Sequence, residues 1–321
     1  MHQSLNYIAL ALLLAVPQTL AHTSRATAAG YTLKNSYEGE TFFDGFTFFI
    51  YDDPTAGAVN YVDKATAFSK GLAGYDSGTP YIQFDNWSQL SATGDGKRDS
   101  VRIQSDDSWN GGVLTFDVAQ MPYGLGTWPA FWTNGPDWPN GGELDIIEGI
   151  NNDTYNHVTI HTYDGCTQSG TAAAIGEYSS ETHDCSGFTP TNSGCGFEDP
   201  NPNSYGEGLN NGGGGVFATE WDVDAGTLKT WFFPRLLIPQ DILNNSPNPQ
   251  NWGQPVSHFV SDSCDLSTFT NHSIILNTTL CGYYAGNNFP NGGLEACNEF
   301  IRDPSNLPNN KWVVNSIRVY E

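Results

Sequence analysis

The sequence reads as an all-β protein, a sandwich or barrel of short strands. Apolar residues recur with period two in short runs, and Gly, Asn and Pro break the chain between those runs. Helical periodicity is nearly absent. With 35 Gly and 18 Pro in 321 residues, turns are frequent enough to separate many strands.

Strands are predicted near Thr47–Tyr51, Val59–Val62, Tyr81–Phe84, Ser100–Ser105, Gly112–Ala119 and Glu143–Glu148. Further strands fall near His157–Thr162, Val216–Trp221, Leu228–Phe233, Ser273–Thr278 and Val313–Tyr320. Within Gly112–Ala119, alternation puts Leu114, Phe116 and Val118 on one face and Val113, Thr115 and Asp117 on the other. In the last strand Val313, Ile317 and Val319 are expected to share a face. Asp63–Leu72 is the one stretch that suits a short helix. The Gly-, Ser- and Asn-rich stretch Cys166–Gly215 reads as cross-linked loop rather than sheet. Asp222 to Gly226 reads as a turn between two strands.

The N-terminus carries the apolar run Ile8–Val16, followed by small residues. It is too short to cross a bilayer and has the form of a secretory signal peptide, residues 1–21, with cleavage as late as Ala28 also compatible. Residues 30–321 then form one domain. No second run is long enough for a membrane span, and the C-terminal segment alternates like a strand. A secreted protein is expected. The six cysteines, Cys166, Cys185, Cys195, Cys264, Cys281 and Cys297, suit that compartment, an even number with fifteen possible pairings. None stands in a C-x-x-C pair, so a zinc site is not expected. Sequons at Asn86, Asn152, Asn271 and Asn277 fit the same compartment.

Charge narrows the partners. Only 12 Lys and Arg stand against 35 Asp and Glu, a net charge of −23, which excludes a phosphate-rich partner such as nucleic acid. A neutral substrate is the simplest match. The 9 Trp, 15 Tyr and 18 Phe offer rings that stack on sugars as well as core material.

The informative segment is Gly141-Gly-Glu-Leu-Asp-Ile-Ile-Glu-Gly-Ile150. On a regular strand Glu143 and Asp145 share a face and Glu148 points away. One extra residue, a β-bulge near Ile146–Ile147, returns Glu148 to that face. Clustered like charges are costly in a strand. They are also what glycoside hydrolysis uses, with one carboxylate ionised and another kept protonated by its neighbours. Taken alone, the same residues could form a solvated acidic strand or a Ca²⁺ site.

The flanking residues add Gly126-Thr-Trp-Pro-Ala-Phe-Trp-Thr133, Asp137-Trp-Pro-Asn-Gly-Gly142 and His157-Val-Thr-Ile-His-Thr162. Together these segments resemble glycoside hydrolase family 16, in particular its fungal laminarinase-type endo-β-1,3(4)-glucanases. Glu143-Leu-Asp-Ile-Ile-Glu148 meets every position of the family signature E-[ILV]-D-[IVAF]-[VILMF]-E. The resemblance extends to Phe42–Thr47, Asp53–Thr55, Val59–Asp63, Gly215–Trp221 and Trp231–Arg235. It implies a jelly-roll sandwich of two antiparallel sheets with a concave substrate cleft. It implies Glu143 as nucleophile, Glu148 as general acid/base and Asp145 as the assisting acid between them. It places Trp132, Trp138 and His161 in the sugar cleft. Trp128, inside the W-P-A-F-W run, is expected in the core.

No cofactor is expected. Gly124-Leu-Gly126 lacks the third glycine of a dinucleotide site, and there is no Walker loop or G-x-S-x-G. An EF-hand starting at Asp222 would need its bidentate acid at Phe233. No metal is expected. The partner is a β-glucan, and the protein is expected to be a monomer without nucleic-acid or membrane contacts. Two other activities share these features: transglycosylation at the same site, and non-catalytic sugar binding. The acid triad argues against the second.

Overall fold

The computed structural model describes residues 30–321 apart from Ala92, Glu181, Thr182 and Asp262; the expected signal peptide lies outside these residues. Two eight-stranded, predominantly antiparallel sheets make up the molecule. One, the acid-bearing sheet, runs Glu177–Tyr178, Cys195–Glu198, His157–His161, Glu143–Glu148, Thr127–Asn134, His272–Leu280, Arg102–Trp109, Phe46–Phe48. The other runs Ser257–Val260, Thr227–Pro234, Gly215–Asp222, Gly112–Gln120, Lys311–Tyr320, Thr79–Gln83, Ala73–Asp76, with Leu33–Glu38 also paired to Lys311–Tyr320. A small parallel pair, Val59–Tyr61 with Arg98–Ser100, stands apart. This is the jelly-roll sandwich that the resemblance implied.

The main core lies between the sheets. Leu114, Phe116 and Val118 are buried there, as alternation predicts, together with Phe131, Leu144, Ile146 and Ile147 from the acid-bearing sheet. Phe116 and Phe131 meet across the gap with ring centroids 3.9 Å apart. Fully burying a side chain of this size contributes about 1.5–3 kcal/mol. The opposite face of Gly112–Gln120 is not all solvent. Val113 packs with Val216, Ala218, Trp231 and Trp252 in a second apolar layer outside the sheet.

The predicted strands are present, with ends shifted by a few residues. Six strands lie outside the predicted ranges, and the reasons differ. Thr127–Asn134 carries Pro129 and follows Gly126, both of which read as breakers. Leu33–Glu38, Ala73–Asp76, Glu177–Tyr178, Cys195–Glu198 and Ser257–Val260 are edge or near-edge strands, which need less apolar patterning. Two of them correct the expectation that Cys166–Gly215 is all loop, since they extend the acid-bearing sheet. In the last strand, bulges around Val314 change the phase. Trp312, Val314, Ile317 and Val319 reach the core and Val313 does not, so the predicted shared face fails at Val313.

The short helix Lys64–Ser69 lies within the predicted stretch, capped by Asp63, whose side chain accepts from the Thr66 N–H. Asp222 accepts from the Ala225 N–H at 2.9 Å in the tight turn predicted there. The cysteines pair as Cys166–Cys264, Cys185–Cys195 and Cys281–Cys297. Of the four sequons, Asn152 and Asn271 are exposed. Asn277 is 6 % exposed and engaged by Trp132, so it cannot carry a glycan in the folded state.

Candidate active site

The strand Glu143–Glu148 is held on both sides. Glu143 pairs with His161 and Asn134, and Asp145 pairs with Thr159 and Trp132. Past Asp145 both registers shift, and Glu148 comes opposite His157 on one side and Ala130 on the other. Ile146 and Ile147 are the bulged pair, and both side chains are buried in the main core with Leu144. The core side therefore takes Leu144, Ile146 and Ile147, and all three acids are left to the other face. This is the parity change that the acid spacing called for.

Two indoles donate to the outer acids. Trp138 Nε1–H donates to Glu143 Oε2 in a short contact, and Trp128 Nε1–H donates to Glu148 Oε1 at 2.8 Å. Trp138 is 43 % exposed, on the loop before the acid strand, so its ring faces solvent while its N–H is used. Trp128 corrects the expectation that it is core. It lies partly exposed beside Glu148, and its ring meets Tyr284 edge-on at 5.4 Å. Trp132 lies on the same strand as Trp128. Its N–H donates to Asn277 Oδ1 at 2.7 Å, and the Arg102 guanidinium lies over its ring at 4.9 Å. Arg102 is buried between this indole and Phe49, 4.4 Å from that ring. Neither Arg102 nor Tyr284 carries a local sequence signal, and Asn277, predicted as a sequon, is spent on Trp132.

His161 is buried beside the triad. Its Nε2 lies 3.6 Å from Asp145 Oδ2, and its Nδ1 lies 3.0 Å from Asn192 Oδ1. An Nδ1–H donated to Asn192 fixes the tautomer and turns the bare Nε2 toward Asp145. Burial lowers the His161 pKa, although the Glu148 charge opposes that, so the ring is neutral near pH 7.

Burial raises all three acids. Asp145 goes furthest, well above the carboxylate range, because the charges of both Glu143 and Glu148 add to its desolvation. Its Oδ2 is buried with no donor aimed at it, as suits an oxygen that carries the proton itself. The Asp145 carboxyl is also in hydrogen-bond contact with Glu143. Burial pushes Glu143 up to about 7, opposed by the Trp138 N–H, the Asp145 carboxyl and the Arg102 charge. Glu148 is raised too, by burial, with His161 and the Trp128 N–H opposing. The three share protons as one coupled system. Geometry distinguishes them: Glu143 has the most groups favouring its anion, and Asp145 the most opposing one.

Ligand atoms of Glu143, Asp145 and His161 all lie within 4.8 Å of one another, close enough to meet on one cation. A neutral imidazole and two carboxyls that share a proton suit proton traffic equally well.

Residues 46–320 match the XgeA-like, catalytic GH16 domain. A probable glycosidase of Schizosaccharomyces pombe is 39 % identical over 92 % of this chain and 70 % of its own length. The endo-1,3(4)-beta-glucanase xgeA of Emericella nidulans is 39 % identical over 92 % of this chain, which spans 48 % of that protein. Among solved structures, GH16 Laminarinase 16A from Phanerochaete chrysosporium, with 6-O-glucosyl-laminaritriose in both donor and acceptor sites, superposes with a TM-score of 0.84 at 38 % identity. The match covers 91 % of this chain and 100 % of that one. An elongating GH family 16 beta-1,3-glucosyltransferase superposes at 0.83 with 35 % identity, over 91 % and 100 % of the two chains. With nearly the whole described fold matched and every position of the acid signature filled, the chain belongs to glycoside hydrolase family 16.

Proposed function

We propose that this protein is a secreted, monomeric endo-β-glucanase, one catalytic domain over residues 30–321, that hydrolyses β-1,3 and mixed β-1,3/1,4 glucans with retention of configuration. The observation that carries this is the bulge at Ile146–Ile147, which brings Glu143, Asp145 and Glu148 to one face of one strand. The three disulfides and the acidic surface support life outside the cell and a neutral substrate. No helix among the described residues is long and apolar enough to cross a membrane.

In this reading the cluster carries protons on Asp145 and Glu148 and its negative charge on Glu143. Glu143 attacks the anomeric carbon while Glu148 gives its proton to the glycosidic oxygen, which leaves as an alcohol. Asp145 donates a hydrogen bond to Glu143 and orients it. Glu148, now ionised, takes a proton from water, and that water displaces Glu143 from the sugar. Trp132 and Trp138 stack on sugar rings, and His161 holds Asp145. Two carboxyls on one bulged strand are expected about 5–5.5 Å apart, too close for the water that inverting enzymes fit in 6.5–9.5 Å.

A second reading is transglycosylation, favoured by the likeness to the elongating glucosyltransferase. It uses the same first step with a sugar hydroxyl in place of water.

Laminarin, lichenin and cellulose digested side by side test the proposal. Reducing ends should rise with laminarin and lichenin, and product lengths over time separate hydrolysis from transfer. Proton NMR of a fresh digest should show the β-anomer first. An α-anomer appearing first would refute the mechanism. Glu143→Gln and Glu148→Gln should each cost roughly 10²–10⁴ in rate.

A further inference from the structure

We infer that Asn156 is a positioning residue that holds the bulge and thereby aims Glu148; this rests on the assignment of Glu148 as acid/base. A bulge removes backbone groups from the ladder, and each must find another partner. Here Val158 stands opposite both Ile146 and Ile147, since Asp145 pairs with Thr159 and Glu148 with His157. The Asn156 side chain answers the deficit on both sides at once. Its Nδ2–H donates to the Ile146 carbonyl at 2.8 Å, and its Oδ1 accepts from the Glu148 N–H at 3.1 Å.

The clamp is itself anchored. Asn156 is 1 % exposed. Its backbone N–H donates to Ser204 Oγ at 3.1 Å, and its carbonyl accepts from the Asp199 N–H at 2.8 Å. A primary amide sets an NH2 donor group beside a carbonyl acceptor in a fixed plane, which suits a carbonyl and an N–H two residues apart. Aspartate there would set an acceptor against the Ile146 carbonyl. Alanine would leave both groups bare.

The consequence falls on one acid. Glu143 and Asp145 precede the bulge and keep their ladder partners, His161 and Asn134, Thr159 and Trp132. Glu148 follows it, and its backbone N–H is the one that Asn156 takes. If the bulge slips into regular pairing, the parity of the strand turns the Glu148 side chain toward the core. Loosening Asn156 should therefore impair proton transfer by Glu148 and spare the nucleophile.

Two substrates read this apart from general damage. Laminarin has a poor leaving group and needs a proton from Glu148. A 2,4-dinitrophenyl β-laminaribioside has a leaving group that departs without one. For Asn156→Ala, kcat/KM on laminarin should fall about 100-fold, as loss of acid assistance does, and on the dinitrophenyl substrate by less than about 10-fold. Azide should raise kcat on the dinitrophenyl substrate and give the β-glycosyl azide, because it needs no base in the second step. Equal loss on both substrates, or an unchanged pair of constants in a merely less stable protein, would overturn the inference. Should Asn156→Ala fail to fold, Asn156→Ser and Ser204→Ala are read by the same ratio. Glu148→Ala beside them is the control. If it shows neither the substrate split nor azide rescue, the acid/base assignment is what fails.

Discussion

Replacing the proposed nucleophile by its amide, Glu143→Gln, should make the protein more stable near neutral pH while removing its activity. Burial raises the Glu143 pKa from 4.5 to about 7. The folded state therefore holds a proton that the unfolded chain has already lost. Below about pH 4.5 both states are protonated and the acid costs nothing. Between 4.5 and about 7 the cost of ionising it in the fold accumulates, and above 7 it is complete. A gap of about 2.5 units at 1.36 kcal/mol each gives about 3 kcal/mol, and the part-exposure of the side chain trims this to about 2–3 kcal/mol. Spread over the unfolding entropy of a chain this long, the gain is about 3–5 °C in Tm.

Glutamine is neutral at every pH and keeps an oxygen for the Trp138 N–H. Asp145 and Glu148 also lose a charge that raised them, which acts in the same direction. Urea unfolding followed by tryptophan fluorescence, with wild type and variant at pH 4, 5, 6 and 7.5, measures this. The two midpoints should coincide at pH 4 and separate steadily up to pH 7.5. A variant no more stable at pH 7.5 would show that Glu143 is not held against its own charge. A gain of equal size at every pH would assign the effect to packing.

Two further outcomes follow from the same geometry. Dialysis against a chelator should leave hydrolysis unchanged, because the proposed steps engage Glu143, Asp145 and His161 in proton and nucleophile work; activity lost and then restored by a divalent ion would show that the trio holds a metal. Trp128→Phe removes the 2.8 Å bond that favours the Glu148 anion, so the Glu148 pKa should rise and the alkaline limb of the pH–rate profile should move up. A hydrogen bond to a charged group of about 1.5 kcal/mol makes that shift about one pH unit, and a limb that stays in place would show that the indole does not act on Glu148.

Much of the site was legible because strand parity is a strict rule. Acids at 143 and 145 share a face, and an acid at 148 does not unless one residue is taken out of register. That argument put the bulge at Ile146–Ile147, where both ladders shift. The same rule could have found Trp128. It stands four residues before Trp132, so the two share a face once Thr127–Asn134 is taken as a strand. Pro129 and Gly126 mask that strand in the sequence, which is why the pattern points Trp128 to the core. Arg102 and Tyr284 were illegible for another reason. Their partners lie across the fold, as Arg102 does between Phe49 and Trp132, and no local spacing encodes such contacts. Asn277 shows the opposite error. A local motif is satisfied, but the side chain is buried and spent on Trp132.

The bulge also explains how a strand can carry three clustered acids and stay in place. The energy that fixes the strand comes from its other face, where Leu144, Ile146 and Ile147 are buried in the main core. Three side chains of this type contribute about 1.5–3 kcal/mol each on burial, which opposes the cost of the raised acids. The two faces are not independent, however. Ile146 and Ile147 are neighbours in sequence, and both can enter the core only because the backbone between Asp145 and Glu148 is bulged. Filling the core with both isoleucines and turning Glu148 outward are therefore one event. A substitution at Ile146 or Ile147 that favours regular pairing should weaken the core and misdirect the acid together, whereas Leu144, ahead of the bulge, should affect stability alone.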